Sequence, residues 1–244
     1  MSQTKALVLR TAGINCDGET VRALETAGAA VELTHLDRVL AEPARLESCS
    51  LLVIPGGFSY GDDISAGRVL GLELRRSLLG AVRRFVARGG HVLGVCNGFQ
   101  VLTEARLLPG ALMRNAGLKF ISREVHLRVE RNDTPFTRDY KKNEVFTCPV
   151  AHHDGNYFAD AETLARIEGE GQVAFRYAGL DTDIDPKWCP NGSINNIAGV
   201  YNDAGNVLGL MPHPEDATEK LVGGLGGAPL FSGIAASIGA GVAA

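Results

Sequence analysis

Short apolar runs that alternate with segments of helical period constrain this chain more than any other feature. "KALVLR" precedes "GETVRALETAG", "AAVELTH" precedes "LDRVLAEPARL", "SLLVIPGG" precedes a long segment, and "HVLGV" precedes "NGFQVLTEA". In the long segment, "AGRVLGLELRRSLLGAVRRFVARGG", Leu70, Leu74, Leu78, Val82 and Phe85 share one face, and Gly89-Gly90 ends the pattern. That spacing predicts one amphipathic helix. Strands separated by helices require crossover connections, and these build a parallel sheet covered on both faces. In such sheets ligands bind beyond the carboxyl ends of the strands.

Past Leu108 the texture changes to strand-like runs, "EVHLRVE", "EVFTCPVAH", "QVAFRYAG" and "NVLGLMPH", broken by loops rich in Asn, Asp and Gly. We expect them to extend the sheet with antiparallel strands. "VGGLGGAP" reads as a loop before a last helix, "LFSGIAASIGAGV". With no linker, repeat or low-complexity block, residues 1–244 read as one α/β domain, and 45% hydrophobic residues suffice for a sizeable core. The formal charge of −4 and the lack of a basic stretch argue against nucleic acid as a partner. No apolar run approaches the length of about 18 residues that a membrane span needs, so the expectation is a soluble, cytoplasmic protein.

Cys16, Cys49, Cys96, Cys148 and Cys189 are odd in number and contain no C-x-x-C pair, which fits a reducing compartment and offers no metal-ligand spacing. Burial is the default expectation for each, and Cys96 departs from it. It lies between Gly94 and Gly98 in "GVCNGFQ", where a strand turns sharply into a helix. A helix start lowers a thiol pKa, and the N–H of Asn97 can face an oxyanion. A base is offered by "GLMPHPED": Pro212 and Pro214 keep His213 out of a helix interior, and Glu215 stands ready to orient its ring. In "LLVIPGGFSYGDD", Gly57 can bring a second backbone N–H close to a ligand, and no lysine follows to make a phosphate loop. Phe58 stands beside it as a rim residue. In "PVAHHDGNY", His152 and His153 should face opposite ways, which suits a substrate or partner rim better than one shared metal. Cys16 and Asp17, in "CDGET", read as structural.

Together the elbow "GVCNGFQ", the loop "PGGFSYGD" and the late "MPHPE" resemble the class I (triad) glutamine amidotransferases. "LLPGALMRNAGLKFISR", "PVAH", "PNGSINNIAGVYN" and "NVLGLMPHPE" resemble in particular the members that serve purine biosynthesis, from Asn15 to the end of the chain. The resemblance implies a three-layer α/β/α, flavodoxin-like fold with an open, mostly parallel mixed sheet. It implies hydrolysis of L-glutamine to glutamate and ammonia, with the ammonia passed through a tunnel to an ATP-using synthetase subunit that amidinates formylglycinamide ribonucleotide. A small bridging subunit is expected as well. Carried over by motif, Cys96 is the nucleophile, His213 the acid and base, and Glu215 its orienter. The N–H groups of Gly57 and Asn97 hold the oxyanion, and Gln100 helps hold glutamine. No cofactor is implied for this chain, and ATP and Mg2+ belong to the synthetase. Two loops depart from the family wording: "AHHDG" stands where "AHGEG" is common, and "GDDIS" where "GDYL" and an arginine are. Contacts at His153, Asp154 and Asp63 are therefore not carried over. Alternatives are an amidotransferase serving another acceptor, a non-catalytic synthetase-binding subunit, and a cysteine hydrolase or redox sensor on a related scaffold.

Overall fold

The structure is a computed structural model that describes residues 5–240. The ends of the 1–244 domain reading, and of the last helix predicted to run to Val242, lie outside the described residues. The first half folds as β1 (Lys5–Arg10), α1 (Asp17–Thr26), β2 (Ala30–His35), α2 (Leu36–Ala41), β3 (Leu51–Ile54), α3 (Arg68–Glu73), α4 (Leu79–Ala87), β4 (His91–Val95) and α5 (Asn97–Glu104). Every predicted strand is present, but two helices differ from expectation. "LDRVLAEPARL" is broken after Ala41, and Pro43 starts a separate 3-10 turn, because its ring cannot continue a helix interior.

The long segment is divided by a π turn over Leu74–Leu78 between α3 and α4. The cause is in the spacing. From Leu70 to Val82 the apolar residues recur every fourth position, which in a regular helix drifts about 40° per repeat. A wide turn absorbs that drift, and Leu70, Leu74, Leu78, Val82 and Phe85 are all buried.

The second half adds β5 (Ala111–Met113), β6 (Ile121–Val129), β7 (Val145–His152), β8 (Asn156–Phe158), α6 (Ala161–Gly169), β9 (Val173–Tyr177), β10 (Ile197–Tyr201), β11 (Val207–Leu210) and α7 (Ala228–Ala240). Of these, β5, β8, α6 and β10 have no counterpart in the predicted elements. The main sheet has 9 strands in the order β2-β1-β3-β4-β11-β10-β9-β6-β7. It is parallel from β2 to β11 and antiparallel beyond. β1, β3 and β4 are buried on both faces, as a covered parallel sheet requires. β7 instead alternates, and its Pro149 is tolerated at the sheet's edge.

Strand β2 lies to one side of β1, and β3 and β4 to the other. Right-handed crossovers therefore place α1 on one face and the β3–β4 connection on the opposite one. Consistently, α1 packs against α7, and α3 against α5. Among the described residues no helix is long and apolar enough to cross a membrane.

Candidate active site

The loops after β1, β3, β4 and β11 converge at one end of the sheet, and each delivers a residue singled out by sequence or by position. After β4 the chain turns into α5 through Cys96, whose φ of 50° and ψ of −104° are a strained conformation for a side-chain-bearing residue. Two glycines make the turn possible. A Cβ at Gly94 would lie 2.6 Å from the Gly98 carbonyl oxygen, and one at Gly98 would lie 1.9 Å from the Ile54 carbonyl oxygen. The second clash is with β3 backbone and cannot be relieved by a rotamer. Gly98→Ala is therefore expected to destabilise the protein by about 3 kcal/mol or more, lowering Tm by about 6–12 °C for a domain of this size. A thermal melt within 2 °C of the parent would refute this account of the elbow.

The start of α5 supplies donors. Phe99 and Gln100 N–H fold back onto the Cys96 carbonyl at 3.0 and 3.2 Å, which leaves the N–H of Asn97 among the orphaned donors of the helix start. The loop after β3 brings Gly57 opposite. Its φ is +144°, and a Cβ there would sit 2.7 Å from the Gly13 carbonyl oxygen, so only glycine fits against the loop after β1. The neighbouring N–H of Phe58 is already spent on Gly13 O at 2.8 Å, whereas Gly57 N–H is not used in that pairing. Phe58 itself is 40% exposed.

His213 follows β11, and its N–H donates to the Pro149 carbonyl at 2.8 Å, which ties it to the middle of β7. The Cys96 thiol approaches the same strand, with Sγ 3.7 Å from the Ala151 carbonyl. His213 and Glu215 are both 3% exposed. Glu215 lies in a 3-10 turn, Pro214–Ala217, rather than on an extended strand. Its Oε1 still reaches His213 Nδ1 at 2.7 Å. Burial alone would push the imidazole pKa down, but Glu215 and the adjacent thiols of Cys96 and Cys16 hold it well above its ordinary value. Beyond the neighbouring thiols His213 Nε2 has no hydrogen-bond partner and is left for a reacting group.

Gln100 is placed differently from a simple ligand. Its amide nitrogen donates to Asp154 O at 2.7 Å and its oxygen accepts from Asn97 Nδ2 at 2.9 Å, so it braces the elbow against the 153–155 loop. Asn97 in turn accepts from Ser59 N–H at 3.1 Å and donates to Asp62 at 3.3 Å. Asp62 is half-buried, and burial raises its carboxyl pKa, with Asp154 adding to the rise. It therefore stands at the site, while Asp63 is exposed.

The two histidines of "AHHDG" do face opposite ways, but only His153 lies on the rim, edge-on to Phe120 with ring centroids 5.2 Å apart. The rim reading of His152 is corrected. Its side chain is 2% exposed because it continues the inward series Phe146, Cys148 and Val150 of β7. Its ring bonds Asn115 at 3.0 Å, and burial, then repulsion from His213, pushes its pKa down to about 4. The reading of Cys16 as structural misses a contact: Cys16 Sγ, a His213 nitrogen and a Glu215 oxygen lie within 4.8 Å of one another. Its place after β1, next to the point where strand order reverses, was the available signal.

A thiol at a strained corner at the start of a helix and an imidazole oriented by a buried carboxylate are equipment suited to acyl transfer. A family model described as the CobB/CobQ-like glutamine amidotransferase domain matches residues 3–223. Among curated relatives, phosphoribosylformylglycinamidine synthase subunit PurQ of Bradyrhizobium diazoefficiens is 49% identical over 231 residues, 95% of this chain and 97% of the relative. The same subunit of Chelativorans sp. is 51% identical over 230 residues, 94% and 97%. Among solved structures, PurLQS from Thermotoga maritima aligns with a TM-score of 0.81 at 38% identity, over 97% of this chain and 99% of that one.

Proposed function

The chain belongs to the family of CobB/CobQ-like glutamine amidotransferase domains, and from that premise we infer that it is the glutaminase subunit of a phosphoribosylformylglycinamidine synthase, a glutamine amidotransferase acting in purine biosynthesis. The observation that carries the chemistry is the convergence of the Cys96 thiol, the buried His213–Glu215 pair and the Gly57 and Asn97 loops at the carboxyl ends of the parallel strands.

In the proposed cycle Cys96 Sγ adds to the side-chain amide carbon of L-glutamine, and its proton passes to His213. The N–H groups of Gly57 and Asn97 hold the oxyanion. Collapse breaks the C–N bond as His213 returns the proton to the leaving nitrogen, giving ammonia and a glutamyl thioester. Water deprotonated by His213 then attacks the thioester, which releases glutamate and restores the thiol. Glu215 orients His213 throughout. Gln100 acts as a strut that keeps the Asp154 loop against the elbow, and Phe58 and His153 line the rim. The ammonia goes to a synthetase subunit that carries ATP and Mg2+, with a small bridging subunit completing the complex, all in the cytoplasm. This chain needs no cofactor for its own step, because every group in the cycle is a side chain or backbone N–H.

Reconstitution tests the reading. Added to the matching synthetase stripped of its glutaminase, the chain should convert an ammonia-dependent amidination of formylglycinamide ribonucleotide into a glutamine-dependent one. Its glutaminase activity should be low alone and rise in the complex, since ammonia released without an acceptor wastes glutamine. A synthetase that stays blind to glutamine, or an isolated chain already at full rate, contradicts the proposal.

A further inference from the structure

His152 lies buried behind the rim, and the cycle above gives it no step. Its neighbours account for one ring nitrogen and leave the other. Nδ1 lies 3.0 Å from Asn115 Oδ1, while Nε2 is buried with no hydrogen-bond partner among the described residues. Which nitrogen carries the hydrogen follows from Asn115. Its Nδ2 donates to the His152 and Lys119 carbonyls, both at 2.9 Å, and its Oδ1 accepts from the Gly155 N–H at 3.1 Å. Carbonyls only accept and a backbone N–H only donates, so the amide cannot be turned round. Oδ1 is therefore an acceptor toward the ring as well, and Nδ1 must bear the hydrogen. Nε2 keeps a bare lone pair. Protonating it would bury a charged donor with nothing to accept from it, and burial first, then the charge of His213, opposes that.

The bonds of Asn115 converge on the turn that follows His152. Besides the His152 ring and carbonyl and the Gly155 N–H, it holds the His153 carbonyl, to which its own N–H donates at 2.8 Å. The ring also packs directly on that turn. A Cβ at Gly155 would fall 2.3 Å from His152 Cε1 and 2.4 Å from Nδ1, so only a glycine lets the backbone rest on the imidazole. Between these anchors the Asp154 carbonyl receives Gln100 Nε2 at 2.7 Å, and Gln100 Oε1 receives Asn97 Nδ2 at 2.9 Å. Just before the histidine, the Ala151 carbonyl stands 3.7 Å from Cys96 Sγ. His152 thus anchors a segment that passes the thiol on one side and braces the elbow on the other.

We infer that His152 is a positioning residue for glutamine use: as the Nδ1–H tautomer it closes a clamp with Asn115 that fixes the 153–155 turn, and that turn, through the Asp154 carbonyl and Gln100, sets the wall of the space in front of Cys96. The imidazole itself touches no reacting atom. The tautomer and the clamp do not depend on the glutaminase reading, whereas the consequence for glutamine rests on it. Without the ring donor, the buried Asn115 oxygen loses one of its two partners and the turn is free to shift. Cys96 and His213 keep their own supports, the glycines of the elbow and the Pro149 and Glu215 bonds. The loss should therefore fall on KM rather than kcat.

Two variants separate the clamp from packing. His152→Leu fills much of the ring's volume but offers no donor, whereas His152→Asn leaves a gap yet can present its amide N–H near the place of Nδ1. In the assembled complex His152→Leu should raise the KM for L-glutamine at least about tenfold. Its kcat and its ammonia-dependent amidination should stay within about threefold of the parent. His152→Asn should recover most of the KM, an order opposite to the one that a space-filling role requires. Nitrogen NMR of the isotopically labelled full chain at neutral pH should show the His152 ring, assigned by its disappearance in His152→Asn, protonated at Nδ1 and bare at Nε2. An Nε2–H tautomer, a His152→Leu complex with unchanged KM or without ammonia-dependent activity, or a leucine variant that outperforms the asparagine one overturns the proposal. A parent complex that cannot use glutamine refutes the functional reading, and the NMR spectrum still decides the tautomer.

Discussion

Cys96→Ala is expected to abolish glutamine-dependent amidination by the assembled complex, lowering it at least about 10⁴-fold, while ammonia-dependent amidination stays within about twofold of the parent. The size follows from the role. Without Sγ there is no thioester, and the remaining donors at Gly57 and Asn97 can only stabilise a tetrahedral species that no longer forms efficiently. The selectivity follows from the architecture: Cys96 is 4% exposed at the elbow, and alanine removes one atom without touching Gly94, Gly98 or the Ile54 contact that set the turn. The docked complex should therefore persist, and ammonia supplied from solvent bypasses the lost step. Measuring both nitrogen sources on one preparation separates chemistry from assembly. Retained glutamine use would remove Cys96 from the nucleophile's place, and loss of both activities would mean that the elbow serves docking instead.

The parts of this site that were legible in the sequence are local ones. The elbow is spelled within a few residues, because the strand, both glycines and the helix start are contiguous around Cys96. The His213–Glu215 bond also spans only two residues. The meeting of Cys16 with His213 was not legible, since it depends on the packing of two loops through Gly56 rather than on any pattern near either residue. The same holds for β10 where it pairs with β9, a long-range contact made after an irregular Asn-rich turn. Two features were readable but require a finer rule. A strict four-residue apolar repeat from Leu70 to Val82 signals the wide turn at Leu74–Leu78, and the period-two series that ends at His152 signals its burial.

Glu215→Gln is the most informative change after the nucleophile. The substitution keeps the shape of a side chain that is fully buried and removes only its charge. The expected result is a fall in glutamine-dependent turnover of about 10²–10⁴-fold, by analogy with other triads deprived of the orienting carboxylate, again with ammonia-dependent activity preserved. The pH profile carries the stronger test. Burial pulls the His213 pKa down, and Glu215 is the first of the groups that raise it, so the carboxylate's charge favours the imidazolium that forms when Cys96 gives up its proton. The proton it holds is the one given to departing ammonia, and activity should fall as pH rises past the His213 pKa. Losing the carboxylate lowers that pKa and moves the alkaline fall to lower pH. Stability follows the same sign. A histidine whose folded pKa is raised contributes stability that is complete below its unfolded value of about 6.5 and disappears as pH rises through the folded value. The Glu215→Gln protein should therefore be most destabilised relative to the parent on the acidic side of neutrality, and the gap should narrow as pH rises. A turnover loss with no displacement of the alkaline limb would assign Glu215 to packing and leave His213 to be oriented by another group.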